Sequence, residues 1–129
     1  MTNSDEIRTL FDRWAKAVRD EDRAAIRANH DTDMLMFDVP PPFVSRGLDA
    51  YMKTWDMFYD FQERPLVYNF EDVQITAGEE VAFVTAIGNC VNIDKTGERE
   101  PLEFRLTMGL RKIAGNWRIT HEHHSLPAE

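Results

Sequence analysis

Apolar residues recur at three- and four-residue spacing at the start of the chain. Ile7, Leu10, Phe11, Trp14 and Val18 fall on one helical face, which predicts a first helix. Asn3 or Ser4 can cap it, and Asp5 and Glu6 suit its first turn. Asp20-Glu21-Asp22 breaks the pattern and can cap a shorter second helix ending near Asn29. Met34 to Val39 is too short for a helix and apolar enough for a buried strand. Pro40-Pro41-Pro42 must end it, because proline donates no ladder hydrogen bond. Gly47 opens a third helix whose buried face carries Leu48, Tyr51, Met52, Trp55 and Phe58 or Tyr59.

Beyond Pro65 the periodicity changes from helical to alternating. Residues 66–76, 81–93, 98–113 and 117–125 read as strands, separated by short turns at Ala77-Gly78-Glu79-Glu80, Asp94-Lys95-Thr96-Gly97 and Ala114-Gly115-Asn116. Short turns between successive strands make an antiparallel meander. The order ααβαββββ predicts an α+β fold, with three helices packed on one face of a bent, mostly antiparallel sheet.

Alternation also assigns faces. Leu102, Phe104, Leu106, Met108 and Leu110 share one side of their strand, and Glu103, Arg105, Thr107 and Gly109 share the other. In the last strand, Trp117, Ile119, His121 and His123 fall together, opposite Arg118, Thr120, Glu122 and His124. Two arrangements fit. Either the apolar face is core and the polar face meets solvent, or the polar face lines a cavity and the apolar face packs on helices or a second subunit. The second is the expectation carried forward.

Composition narrows the function. The 129 residues suit a single domain spanning 1–129, and no repeat or linker divides them. A net charge of -8 argues against nucleic acid or an anionic membrane surface as partner. No run of about 18 apolar residues would span a bilayer. The polar start does not resemble a signal peptide. Cys90 is the only cysteine, so no internal disulfide can form, and a cytoplasmic setting is the simplest expectation.

Few residues are candidates for chemistry. Asp38 ends an apolar run. It is either a desolvated carboxylate suited to accepting protons or a strand-end aspartate bonded to its turn. His121 and His123 point the same way on a strand and can exchange protons with a substrate, unless that strand is simply exposed. The spacing in His121-Glu122-His123-His124 is wrong for a helical zinc motif, and no metal site is expected. Arg105 would need an anionic partner in a cavity, or a glutamate across strands at the surface. Trp14, Tyr51, Trp55 and Phe58 are core residues that can also form a pocket wall. No glycine-rich phosphate loop or nucleophile elbow is present, and no cofactor is expected.

These residues add up to a resemblance. The element order resembles the nuclear transport factor 2-like cone fold. Phe37-Asp38-Val39-Pro40-Pro41-Pro42, Arg46-Gly47 with Tyr51 and Trp55, Arg105-Leu106-Thr107 and the ending Trp117 to Pro127 look like its SnoaL-like, ketosteroid-isomerase-related branch. The resemblance implies a homodimer formed through the sheet and a pocket for a small-molecule ligand. It places Asp38 near that pocket, with Arg105, Thr107, His121 and His123 on the facing sheet. It further implies proton removal beside a carbonyl by Asp38, with His121, His123 and Arg105 as acid and enolate stabilisers, and Trp14, Tyr51, Trp55, Phe58 and Thr107 contacting substrate. Trp14 stands where steroid isomerases place a tyrosine. The alternative is a non-catalytic ligand-binding or dimerisation module of the same fold.

Overall fold

Thr2 caps the first helix, α1 (Asn3–Arg19), through a capping box in which Thr2 and Asp5 bond each other's backbone N–H. The computed structural model describes residues 1–128. The buried face of α1 holds the five expected residues together with Ala15 and Ala17. Asp22 caps α2 (Arg23–Ala28) by accepting from the Ala25 N–H. β1 (His30–Phe37) begins four residues earlier than the apolar run suggests, because His30 is drawn inside by polar bonds rather than by hydrophobicity. After the proline segment comes a two-residue strand absent from the expected order, β2 (Ser45–Arg46), paired with Leu35 and Met36.

Gly47 then turns the chain into α3 (Leu48–Tyr59). Its φ of 88° lies in the left-handed region that favours glycine, and its N–H donates to Met34 O at 2.8 Å. The four remaining strands follow the predicted meander: β3 (Tyr68–Ala77), β4 (Val81–Ile93), β5 (Arg99–Ile113) and β6 (Asn116–Ser125). The sheet order is β2-β1-β6-β5-β4-β3, and only β1 with β6 is parallel. No helix among the described residues is long and apolar enough to cross a membrane.

The helices cover one sheet face. Ile7, Phe11, Trp14 and Val18 of α1 meet Tyr51 and Trp55 of α3, Tyr68 of β3, and the row Leu106, Met108 and Leu110 of β5. The apolar face of β5 therefore turns toward the helices and the cavity, while Glu103, Arg105 and Thr107 are exposed on the opposite face. This corrects the expectation of a polar cavity wall. Five consecutive apolar side chains on one strand face gain more by leaving water than the intervening polar side chains do.

A second correction comes from register. Gly109 of β5 pairs with His121 of β6, and Leu110 pairs with Ile119, so Thr120 is an extra residue with no partner. This β-bulge shifts the alternation of β6 by one. Trp117 and Ile119 point inward before it, and Glu122 and His124 point inward after it. His121 and His123 emerge on the outer face, and His124, expected outside, lies within.

Candidate functional site

A cavity of about 580 Å³ opens between α3, the proline segment and the inner faces of β3, β4 and β5. Its wall is mainly apolar, built from Met36, Trp55, Phe58, Tyr68, Phe104 and Leu126 among others. Asp38, Glu100 and His124 are the charged or proton-exchanging groups that reach it besides Tyr68 and Cys90. Among the described residues, no lysine or arginine lines it.

Asp38 stands where β1 stops. Met36 before it points inward, and the proline segment after it folds along the cavity mouth. Burial pushes its carboxyl above the ordinary value, against the pull of nearby His124 and of a bond from the Val39 N–H at 2.8 Å. Both sequence readings of this residue are therefore realised in part: the carboxylate is desolvated, and it also bonds its own turn.

His124 is fixed by three neighbours. Its ring stacks on Phe104 with centroids 5.5 Å apart and planes 15° apart, and meets the edge of Trp55 at 6.4 Å. Nε2 donates to Glu122 Oε1 at 3.0 Å. Glu122 is fully buried and one turn of the pleat away. The Tyr51 hydroxyl donates to its other oxygen at 2.6 Å, and His30 Nε2 meets the same oxygen. His30 Nδ1 faces the Ile26 carbonyl at 2.7 Å, so satisfying both ring nitrogens requires the imidazolium. Trp14 Nε1 donates to the Tyr51 oxygen at 3.2 Å and closes the network. Burial alone would push the Glu122 carboxyl up. The charge of His30 and the bonds from His124 and His30 outweigh burial and hold it down at about 2.

The residues expected at the site divide three ways. Asp38, Trp55 and Phe58 line the cavity. Trp14 and Tyr51 are fully buried behind it, in the Glu122 network rather than in the wall. Arg105, Thr107, His121 and His123 lie on the far side of the sheet and cannot reach it. Arg105 is exposed and bonds Ser125 Oγ at 3.1 Å, and His121 Nδ1 bonds the Leu35 carbonyl at 2.7 Å. Phe37 stands edge-on to both outward histidines. Strand alternation misses His30, Glu122 and His124, because nothing local in Thr120-His121-Glu122-His123-His124 marks the bulge. Tyr68 was legible only as a strand residue. Its hydroxyl is buried without a partner among the described residues, as are Trp55 Nε1 and Gln62 Oε1, and all three residues belong to the cavity wall. No group of three metal-ligating side chains occurs among the described residues.

Comparison with known proteins follows the architecture. The family model described as SnoaL-like domain matches residues 7–129. A nuclear transport factor 2-like protein of unknown function from Pseudomonas putida KT2440 is 30% identical, with a TM-score of 0.87 over 98% of this chain and 87% of its own. A ketosteroid isomerase-like protein from Erwinia carotovora atroseptica is 20% identical (TM-score 0.81; 98% of this chain, 97% of its own). A nuclear transport factor 2-like superfamily protein from Salmonella enterica is 16% identical (TM-score 0.82; 98% and 92%). The latter two share the fold alone. No curated protein matches the chain.

Proposed function

We propose that this chain, which belongs to the SnoaL-like domain family, binds a small carbonyl compound in its cavity and moves a proton on it, with Asp38 as general base. The observation that carries this reading is the carboxylate of Asp38 in a largely apolar wall, its proton affinity raised by burial. A carboxyl group in such surroundings is a stronger base than in water. The absence of lysine and arginine from the wall favours an uncharged ligand over a carboxylate or phosphate.

The test is solvent deuterium uptake by 2-tetralone, an uncharged two-ring ketone with acidic hydrogens beside its carbonyl. The protein accelerates uptake at that carbon, and Asp38→Asn removes the acceleration while leaving 2-tetralone binding in place. Binding without accelerated uptake in either protein would favour the non-catalytic reading of the same cavity.

The outer sheet face is the proposed site of homodimerisation. Phe37, Val81, Phe83 and Ile113 are its exposed large apolar side chains. Such a set on a face with no helix over it is the surface a second copy would cover.

A further inference from the structure

We infer that His124 presents Nδ1 to the oxygen of the cavity's ligand and passes a proton to it, and that Glu122 is the positioning residue that makes this possible. The inference rests on the proton-transfer reading of the cavity and adds its acid.

The argument starts at the nitrogen that is already used. Glu122 is a carboxylate and can only accept, so the bond at 3.0 Å places a hydrogen on His124 Nε2. Nδ1 then has no partner among the described residues, on a ring that lines the cavity. Stacking on Phe104 fixes the plane of the ring, and the Trp55 edge limits its tilt. An imidazole held at one nitrogen by a carboxylate and open at the other is oriented for proton exchange at the open one.

Glu122 can hold it because Glu122 is itself held. Tyr51 and His30 engage one carboxylate oxygen and leave Oε1 for His124. The imidazolium of His30 balances the carboxylate charge, so the cluster does not depend on a second charge at His124. Strand position matters as well. The inward row across the sheet runs Met108, Glu122, Met36, and the next runs Ala86, Leu106, His124. Glu122 is thus one row along the sheet from His124, and of the two only His124 lines the cavity.

The step balances as follows. The Asp38 carboxylate takes a proton from the carbon beside the carbonyl, and that C–H electron pair becomes the C=C bond of an enol. His124 first takes a proton from solvent at its open Nδ1; the C=O π pair then takes that Nδ1 proton of the imidazolium and becomes an O–H bond. Asp38 ends as the acid and His124 as the neutral ring. Reversal in D2O returns deuterium to carbon.

Two measurements test this. His124→Gln keeps an amide N–H able to reach Glu122 but has no proton-exchanging nitrogen. Deuterium uptake by 2-tetralone should fall by about 100-fold, with the melting temperature little changed. Uptake that Asp38→Asn abolishes and His124→Gln leaves at the wild-type rate overturns the role of His124 while Asp38 keeps its own. The second measurement needs neither turnover nor a variant. Imidazole nitrogen NMR of the wild-type protein should show His124 with its hydrogen on Nε2, and 2-naphthol, an unreactive analogue of the tetralone enol, should shift the Nδ1 resonance. In Glu122→Gln the two ring tautomers should mix. A neutral ring that carries its hydrogen on Nδ1 in place of Nε2 in the wild type, or a Nδ1 resonance indifferent to bound 2-naphthol, overturns the inference. A Nδ1 shift in a protein that gives no deuterium uptake supports the contact and overturns the proton transfer.

Discussion

The ring of Phe104 lies across Gly88, its partner on the neighbouring strand, where a methyl group would come within 2.2 Å of the ring. Glycine at position 88 lets Phe104 lie flat against β4 and stack on His124 from the other side. Gly88→Ala should displace Phe104, lower stability by about 1–3 kcal/mol as overpacking does, and weaken 2-tetralone binding. Thermal unfolding and a binding titration check both effects. A variant as stable as the parent would mean that the ring has somewhere else to go.

Glu122 gives the protein an acid limit. Its carboxyl titrates at about 2 in the folded chain against an ordinary 4.5. A depressed folded value contributes stability that is present above the unfolded value and is lost as pH falls toward the folded one. Stability should therefore decline between about pH 4.5 and pH 2, and the decline should flatten in Glu122→Gln. That variant should also be less stable at neutral pH by about 3–5 kcal/mol, since it leaves the buried His30 charge without its partner. Denaturant unfolding across the acid range gives both numbers.

Asp38 has the opposite sign. Burial raises its folded value above the ordinary 3.8, so the ionised carboxylate destabilises the fold at neutral pH, and the effect vanishes once it is protonated. Asp38→Asn should melt higher than the parent at pH 7, with the gain disappearing as pH falls through the raised folded value toward 3.8. A residue retained at a cost to stability is what a functional carboxylate looks like. An Asn variant that melts lower at pH 7 would argue for a purely structural Asp38.

The outer face should behave independently of the cavity. His121→Ala and His123→Ala should leave 2-tetralone binding unchanged, because both side chains project from the other side of the sheet. Phe83→Glu, on the same outer face and 48% exposed, should shift the proposed homodimer toward monomer in sedimentation equilibrium. A chain that is monomeric before the substitution removes the dimer proposal.

Much of the architecture was written in spacing. The α1 face, the three-proline stop, the turns at Asp94 to Gly97 and at Ala114 to Asn116, and the whole of β4 follow from periodicity and turn chemistry. β2 was illegible, since two residues carry no period, and the first half of β1 was hidden because Asp31, Thr32 and Asp33 are polar.

The site divides along the same line. Sequence by itself determined that Asp38 ends an apolar run and that Trp55, with Phe58 or Tyr59, belongs to the inward face of α3. Each of those statements needs only local spacing. Which histidine faces the cavity was decided by the pairing of Gly109 with His121 and Leu110 with Ile119, which leaves Thr120 over and moves every later side chain of β6 to the other face. Alternation holds only while no residue is added to the ladder, and a bulge among five polar residues leaves no hydrophobic mark. The partners of Glu122 lie 71 and 92 residues away in the chain, and only the folded sheet, with the helices packed on it, brings Tyr51 and His30 to one carboxylate.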